Sequence, residues 1–418
     1  MNKRLGKKIG LIMSATMMSM AVLPAVSFEA SAEEGAELTV YTQTINNDEY
    51  GDAFKQMVED ALGVKVNFEP EPLAYADTVN KATTMLASGD DSVDVYYIDE
   101  IMQLSFMSAG FLEPLEDVIT EEDMSSILEG YEEQFLRRDG HLYGVPAEFS
   151  GIVFYVNKKM FDEAGISIPT NKEEFIEAAK ALTKDGNYGL LESWDKASHL
   201  QDNLNRWCLM FGGNFYDWTL DGTKEAIKFM HDLVYEYGVT GIDNLSVDYE
   251  TGNQKFADGN GAMYFQWAGA TSSFDKAGKY GEEIICAPMP TFATNKTPMS
   301  SWMWVVNKNS LQKDAAKQFV KFMATPEAQA AYMKACGKFN PTANLDVWEN
   351  EELSKDLLTM DEHKMYVEDQ AFEARTLSAR HSEYMDTVTG TLQEYLMDEI
   401  TFEECLERGQ QQIEELLG

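Results

Sequence analysis

Positive charge is scarce in this sequence. Of its 418 residues, 33 are Lys or Arg and 71 are Asp or Glu, so the formal net charge at pH 7 is −38. Surfaces that bind nucleic acid or anionic membranes need clustered cationic side chains. Nucleic acid and acidic membrane surfaces are therefore poor partners for this chain, and its acidity mainly favours solubility.

Residues that carry metal and redox chemistry are also few. The four cysteines, at positions 208, 286, 336 and 405, are never at C-x-x-C spacing, and the five histidines are scattered. This pattern gives no support for a zinc site or a redox motif. We predict no cofactor and no metal site. Cysteine pairing stays open, because an exported chain could pair some of these thiols or bury them unpaired.

Catalytic motifs are missing as well. The sequence contains no G-x-S-x-G, no H-E-x-x-H and no G-x-x-x-x-G-K-[ST]. A glycosidase needs two carboxyl groups about 5–10 Å apart in a cleft. With 71 acidic residues, the sequence cannot single out such a pair. We predict a protein that is not an enzyme, and a secreted carbohydrate-active hydrolase is the alternative from another class.

The first 32 residues have the organisation of a secretory signal peptide. Four basic residues precede a nearly uncharged run at 10–28, and an A-S-A site ends at Ala32. This order predicts cleavage and export, with an uncleaved membrane anchor as the alternative. No cysteine lies near the site, so a lipid-anchored terminus is not expected. No later stretch is apolar enough to span a membrane.

Short β-rich runs alternate with amphipathic helical patterns along the rest of the chain. The strand-like runs lie at 38–43, 64–70, 93–99, 151–157, 262–267, 283–289 and 302–308. Helix-start signals are Thr170 with Glu173, Thr223, Thr325 before Pro326, and Thr401 with Glu404. This alternation predicts an α/β fold with largely parallel sheets. The chain is also longer than the ~250–300 residues that one core usually supports, which predicts two domains.

Five blocks in order resemble one known family. The longest, YGVPAEFSGIVFYVNKKMFDEAGISIPTNKEEFIEAAKALT, spans 143–183, and the others lie at 93–117, 256–269, 287–292 and 315–342. Together they resemble the extracytoplasmic solute-binding proteins of bacterial ABC sugar importers, the maltose- and multiple-sugar-binding family 1. Each block alone is loose, whereas five in the right order behind an export signal are specific.

The resemblance implies a two-lobe periplasmic-binding-protein-like fold of type II, with the ligand cleft between α/β lobes. We expect one lobe from 33–147 and 290–340, and the other from 148–289 and 341–418. The implied partners are a small carbohydrate, with an oligosaccharide expected, and the permease subunits of an ABC transporter. We expect a monomer, exported to the periplasm or the cell envelope.

Two tryptophans are candidate platforms for a sugar ring. Trp267 ends the run AMYFQW and is followed by the small residues AGA. It falls where the resemblance places a tryptophan of the cleft, and the alternative is a core residue. In SSWMWVVN, Trp302 and Trp304 point the same way if the strand alternates. We predict Trp302 as the ligand-facing residue and Trp304 as core. Relatives often carry two glycines where Ser300 and Ser301 stand, which puts a close backbone approach in doubt.

Polar candidates follow the strand ends, where α/β clefts bind ligands. Asp99 matches an acidic position that takes sugar hydroxyls, and its alternative is a helix N-cap. The remaining candidate ligand-binding residues are Glu148, Phe149, Ser150, Tyr41, Gln43, Asn46 and Arg380. Arg375 lies in the same segment as Arg380, and the sequence does not decide which arginine, if either, lines the cleft.

The sequence thus predicts an extracytoplasmic substrate-binding component of an ABC importer that holds a carbohydrate between two lobes. Relatives of the same fold bind glycerol phosphodiesters or polyamines, so these ligands are the alternatives within the family. A surface adhesin is a weaker third alternative. The identity, linkage and length of the sugar do not follow from the sequence.

Overall fold

The computed structural model describes residues 37–45, 50–72, 75–184, 186–196, 199–337, 340–375 and 377–417. The predicted signal peptide at 1–32 and the candidate Asn46 lie outside the described residues. Among the described residues, no helix has both the length and the apolar character needed to cross a bilayer.

The strands are short except for two. They are β1 (Glu37–Thr42), β2 (Lys65–Pro70), β3 (Val95–Asp99), β4 (Arg137–Arg138), β5 (His141–Leu142), β6 (Gly144–Asn157), β7 (Tyr188–Leu191), β8 (Gly261–Trp267), β9 (Ile284–Ala287), β10 (Thr297–Val306) and β11 (Phe372–Ala374). β6 and β10 extend on their N-terminal sides beyond the runs predicted at 151–157 and 302–308.

In the part of the chain that the structure describes, sixteen α-helices surround the strands. They are α1 (Gly51–Leu62), α2 (Tyr75–Ser88), α3 (Glu100–Ala109), α4 (Lys158–Ala164), α5 (Lys172–Leu182), α6 (His199–Met210), α7 (Asp221–Tyr235), α8 (Tyr249–Ala257), α9 (Thr271–Lys276), α10 (Lys313–Met323), α11 (Pro326–Ala335), α12 (Leu345–Glu349), α13 (Glu351–Ser354), α14 (Met360–Glu368), α15 (His381–Leu396) and α16 (Phe402–Leu417).

Two of the predicted helix starts are confirmed. Thr325 caps α11 with Pro326 at the first helical position, and Thr401 and Glu404 exchange side-chain and backbone hydrogen bonds ahead of α16.

Two other helix starts were wrong, by one residue at α5 and by three residues at α7. Asn171, not Thr170, caps α5, because its side chain accepts from the Glu174 amide. Thr223 lies inside α7, where its hydroxyl donates to the Asn214 carbonyl.

The predicted parallel arrangement was wrong at the centre of the sheet. Nine strands form one sheet in the order β2-β1-β3-β10-β6-β8-β7, with β11 beside β10 and β9 beside β6. The outer pairs β1–β2, β1–β3 and β7–β8 are parallel, but β10 is antiparallel to both β3 and β6. A short β-rich run does not show whether a strand lies parallel or antiparallel to its neighbours. The two long central strands, β6 and β10, are antiparallel to each other.

Buried apolar side chains form two clusters, one toward each end of this sheet. The first draws on residues 38–149 and 303–360, and the second on residues 152–289 and 366–416. β6 contributes to the first cluster up to Phe149 and to the second from Ile152 onward. Ala343, Trp348 and Met360 pack in the first cluster, whereas the predicted boundaries assign 341–418 to the second lobe.

Three strands carry the chain across the junction of the two clusters. β6 and β10 pair antiparallel from Met299–Gly151 to Val305–Gly144, and β11 pairs parallel with the start of β10. Phe372 of β11 packs against both clusters. These strands connect the two clusters.

Replacing Gly151 with alanine is expected to destabilise the protein by about 1–3 kcal/mol. A Cβ at Gly151 would lie 2.0 Å from Cε1 of Phe372, so the Phe372 ring or one of the crossing strands must shift. Gly390→Ala in α15 is the matched control, since only the flexible Lys196 side chain lies near its Cβ and alanine favours helix. Urea denaturation of both variants checks this. Equal stability of Gly151→Ala and wild type would contradict it.

Candidate functional site

Trp267 lies at the end of β8 on the second cluster and is half-buried. Its indole Nε1 donates to the Tyr249 hydroxyl at 3.1 Å and to the Asp202 carboxylate at 3.3 Å. The guanidinium carbon of Arg375 is 5.2 Å from the ring centroid. The indole is therefore fixed along its edge while part of its surface stays open to solvent.

The small residues after Trp267 let the backbone approach the opposite side of the junction. A Cβ at Gly269 would be 3.4 Å from Nδ2 of Asn340. Asn340 in turn donates to the Glu148 carboxylate at 2.8 Å. The end of β8 thus lies beside the polar residues at the β6 crossing.

Trp302 lies on β10 on the first cluster and is also half-buried. Its ring stacks on Tyr97 with centroids 4.8 Å apart and planes inclined by 16°. In the sheet register it is opposite Asp99 on one side and Glu148 on the other. Trp304 points the same way and is fully buried against Phe319 and Tyr332, as predicted for a core residue.

Asp99 is a helix N-cap, which is one of the two roles that the sequence left open. Its carboxylate caps α3 by accepting from the Met102 amide at 2.9 Å, and it accepts from the Tyr75 hydroxyl at 2.6 Å. Burial, followed by the negative charge of Glu100, raises the pKa of Asp99 to about 7. Asp99 is therefore a carboxylic acid at the C-terminal end of β3 that can hold or release a proton near neutral pH.

Glu148 lies under Trp302 at the junction of the two clusters and is 3% exposed. Its carboxylate accepts from the Tyr97 hydroxyl and from Nδ2 of Asn340, both at 2.8 Å. The amide oxygen of Asn340 is buried and has no hydrogen-bond partner among the described residues. It is an acceptor that a ligand hydroxyl could satisfy.

Arg375 joins two acidic side chains from different parts of the fold. Its Nε donates to Glu100 at 2.9 Å and its Nη1 to Asp202 at 2.6 Å. The other oxygen of Glu100 accepts from the Ser300 hydroxyl at 2.9 Å and the Ser301 amide at 3.1 Å. The two serines that stand in place of glycines thus hold Glu100 in position.

Four further predicted residues, Phe149, Tyr41, Ser150 and Gln43, are each buried or half-buried. Phe149 is buried against Trp348 and His363, and Tyr41 is buried beside Tyr96. Ser150 is buried on β6 next to Gly151. Gln43 is half-buried just after β1.

Arg380 lies on the surface rather than beside the tryptophans. Its guanidinium pairs with Glu383 one helical turn away and donates to the carbonyl of Glu415. Arg375, the other arginine of the segment, is the one that reaches Trp267. Of the two, the geometry favours Arg375 as a residue of the site.

The family model for bacterial extracellular solute-binding proteins matches residues 45–330. The chain belongs to this family. The match covers most of the two-cluster fold, including Asp99, Glu148, Trp267 and Trp302.

Relatives and solved structures agree on the fold of this solute-binding protein. The erythritol/L-threitol-binding protein of Mycolicibacterium smegmatis is 24% identical over 67% of this chain and 64% of its own. A probable amino-acid ABC transporter periplasmic-binding protein of Sinorhizobium fredii is 25% identical over 64% of each chain. The chain therefore spans somewhat less than two thirds of these relatives.

Among solved structures, the solute-binding protein of Thermotoga lettingae bound with α-D-tagatose superposes with a TM-score of 0.80. It is 19% identical, over 92% of this chain and 100% of that chain. At this identity the likeness establishes the fold: two α/β lobes of a periplasmic binding protein.

Sequence reasoning missed several polar residues that contact Asp99, Glu148, Trp267 or Arg375. They are Tyr75, Glu100, Asp202, Tyr249 and Asn340. Glu100 directly follows the predicted Asp99, so an acidic pair at a strand end was the available signal. Asp202 and Tyr249 lie inside helical patterns, where an acid or a tyrosine looks like any surface residue.

In this solute-binding protein, Asp99→Asn is expected to flatten part of the pH dependence of stability. The raised pKa of about 7 means that folded Asp99 keeps a proton that the unfolded chain loses near pH 4. The free energy of unfolding therefore falls as pH rises from about 4 to about 7. Asparagine keeps a capping oxygen but does not titrate.

The check is urea denaturation of wild type and Asp99→Asn at pH 5 and pH 8. The buried His363 and His381, whose pKa values burial lowers to about 4 and about 3, act in the opposite direction in both proteins. The difference between the two proteins removes their effect. Relative to the variant, wild type should lose stability at pH 8. A difference that does not change with pH would count against the raised pKa.

Proposed function

We propose that this protein is the extracytoplasmic binding component of an ABC importer, and that it holds a neutral carbohydrate or polyol between its lobes. One observation carries the proposal: two half-buried indoles, Trp267 on the second cluster and Trp302 on the first, border a set of buried carboxylates.

The chemistry of this border suits a polyhydroxyl ligand. A sugar ring has C–H groups on its faces and hydroxyls at its rim. Indole rings bury the faces, while acceptors fixed by the protein take the hydroxyl protons. Asp99, Glu148 and Asp202 provide carboxylate acceptors, and the buried amide oxygen of Asn340 provides a further one.

The charge of the cleft disfavours an anionic ligand. Arg375 is the cation that contacts this cluster, and its guanidinium already faces Glu100 and Asp202. Asp99 and Glu148 add two further buried acids. A phosphodiester would bring more negative charge into a desolvated acidic site in which Arg375, the cation found there among the described residues, is already paired.

Relatives support this ligand class. One curated relative is named for erythritol and L-threitol, and one solved relative holds α-D-tagatose. Both kinds of molecule are neutral and rich in hydroxyl groups. The name of the Sinorhizobium fredii relative supports a role beside an ABC permease.

The proposal includes export, lobes and the absence of catalysis. The basic and apolar start of the chain supports secretion. The first lobe is built around residues 38–149 and 303–360, and the second around 152–289 and 366–416. The protein binds and releases its ligand without making or breaking a bond, and it acts as a monomer.

The test is a thermal-shift screen of the mature protein. The panel contains monosaccharides, linear polyols, oligosaccharides, glycerol phosphodiesters and polyamines. A ligand at ~100 times its dissociation constant adds roughly 2.7 kcal/mol of stability, which appears as a shift of several degrees at most.

A shift with sugars or polyols alone supports the proposal, and the size of the best ligand tells a short sugar from an oligosaccharide. A shift with only the phosphodiester or only the polyamine would overturn the ligand class while leaving the family intact. Release of smaller sugars from an intact oligosaccharide would contradict the non-enzymatic assignment.

A further inference from the structure

Tyr97 lies directly behind the Trp302 indole in the first cluster. The two rings are stacked, with centroids 4.8 Å apart and planes inclined by 16°. Tyr97 is fully buried on β3, whereas Trp302 on the neighbouring strand β10 is half-buried. One face of the indole therefore packs on a tyrosine ring, and a stack of this kind fixes the inclination of the indole.

The Tyr97 ring is itself held by other aromatic side chains. Its centroid is 5.1 Å from that of Trp304 and 5.4 Å from that of Tyr332, at interplanar angles of 57° and 53°. Both neighbours are fully buried, and the hydroxyl oxygens of Tyr332 and Thr42 are 2.6 Å apart. Because a buried core is close-packed, these contacts confine Tyr97 to one orientation.

The hydroxyl of the same side chain holds a carboxylate. It donates to Oε2 of Glu148 at 2.8 Å. Burial, followed by the negative charge of Glu148, raises the pKa of Tyr97 well above its ordinary value. The hydroxyl therefore stays protonated at neutral pH and remains a donor. A hydrogen bond to a carboxylate is about twice as strong as one between neutral groups, so Tyr97 also fixes where Glu148 lies.

The sheet register places the two groups that Tyr97 contacts side by side. Trp302 of β10 is opposite Glu148 of β6, on an adjacent strand. Tyr97 precedes Asp99 by two residues on β3, and Asp99 is opposite Trp302 on the other side. Residues two apart on a strand share a face of the sheet. Tyr97 therefore lies on the face that carries both the indole and the carboxylates.

We propose that Tyr97 is a positioning residue that determines ligand specificity, because it fixes the Trp302 indole and the Glu148 carboxylate relative to each other. The pair then selects ligands that carry a hydroxyl at one set position beside an apolar ring face or carbon chain. This inference rests on the proposed carbohydrate or polyol ligand. Tyr97 acts only through the two side chains that it contacts.

The first experiment is isothermal titration calorimetry with the sugar or polyol that gives the largest thermal shift. Tyr97→Phe keeps the stack but loses the hydroxyl, so the dissociation constant should rise about tenfold. Tyr97→Leu loses both contacts, and the dissociation constant should rise about 100-fold. Phenylalanine should thus rescue the part of the affinity that depends on the stack.

Tyr96→Phe is the matched control. Tyr96 is the preceding residue on β3, and its side chain lies on the opposite face of the sheet. Its buried hydroxyl has no hydrogen-bond partner in the part of the chain that the structure describes. The same chemical change should therefore leave the dissociation constant as in wild type.

A double-mutant cycle with Glu148→Gln separates positioning from a merely structural role. Glutamine keeps the shape of Glu148 but carries no charge, so the hydrogen bond from Tyr97 is weaker. In the Glu148→Gln background, Tyr97→Phe should raise the dissociation constant by about threefold at most. The same rise in both backgrounds would show that Tyr97 does not act through Glu148, and it would overturn the proposal.

Crystal structures of the ligand-free variants decide on positioning without any ligand. Compared with ligand-free wild type, Tyr97→Phe should leave the Trp302 ring in place and displace the Glu148 carboxylate. Tyr97→Leu should displace the carboxylate and also turn the indole. If Tyr97→Leu does not fold, Tyr97→Phe decides alone through the position of Glu148. Trp302 and Glu148 at their wild-type positions in every folded variant would overturn the proposal.

The two proposals can fail separately. If no sugar or polyol binds, the proposed function fails, while the ligand-free crystal structures still decide on positioning. If a sugar or polyol binds wild type and Tyr97→Phe with the same dissociation constant, the positioning proposal fails alone and the proposed function stands.

Discussion

Replacing Arg206 with methionine is expected to lower the free energy of unfolding by about 3–5 kcal/mol, the usual cost of breaking a buried ion pair. Arg206 and Glu192 are both fully buried, and Nη2 of Arg206 lies 2.9 and 3.0 Å from the two carboxylate oxygens of Glu192. The guanidinium also lies over the rings of Trp207 and Phe265 at 4.0 and 4.1 Å. Methionine would leave the Glu192 carboxylate without its cation.

Two variants bracket this expectation in urea denaturation. The double variant Arg206→Met with Glu192→Leu removes both charges, so it should recover much of the lost stability. Arg380→Met removes an exposed arginine that pairs with Glu383, and it should change stability little. If Arg206→Met were as stable as wild type, the Arg206–Glu192 ion pair would not stabilise the second cluster.

Replacing Trp267 with alanine is expected to weaken sugar or polyol binding by about 2 kcal/mol, which is roughly 30-fold in the dissociation constant. The indole is half-buried and held at its edge by Tyr249 and Asp202. It therefore has a fixed orientation and a surface that closure of the lobes would complete. Isothermal titration calorimetry with the best ligand of the screen measures the loss.

Trp267→Phe tells a stacking surface from a core residue. Phenylalanine cannot donate to Tyr249 or Asp202. Because it keeps an aromatic face, it should still retain much of the affinity. Trp304→Phe is the control, since Trp304 is fully buried in the first core and should affect stability rather than binding. Unchanged affinity in Trp267→Ala, together with a large loss of stability, would identify Trp267 as a core residue.

Local signals in the sequence predicted local structure well. The N-cap at Thr325 and the capping box at Thr401 follow from side chains that bond backbone groups only three residues away. The alternation of β10 puts Trp302 and Trp304 on the same side, so it was the resemblance that separated a half-buried Trp302 from a buried Trp304. The two helix caps depend on neighbours in the chain and on nothing else.

Features that depend on distant contacts were missed. The strand predicted at 151–157 left out the segment GVPAEFS at 144–150. It forms the first half of β6 because β10 pairs along it. The direction of the central strands follows from this pairing, and no local pattern encodes it.

The arginine beside Trp267 is the clearest case. Arg375 and Arg380 lie five residues apart in the same segment, and the sequence treats them alike. The difference arises because Glu100, 275 positions earlier in the chain, and Asp202, 173 positions earlier, meet Arg375 at the junction. Such a contact can be found only once the lobes are assembled.

The most direct measurement is a crystal structure of the mature protein with the sugar or polyol that shifts its melting temperature most. The account predicts the ligand between the lobes, with a ring face or carbon chain against Trp267 and Trp302. Hydroxyl groups should lie within hydrogen-bond distance of Asp99, Glu148 or Asn340. A ligand bound outside this cleft, or inside it without contact to either tryptophan, would contradict the central claim.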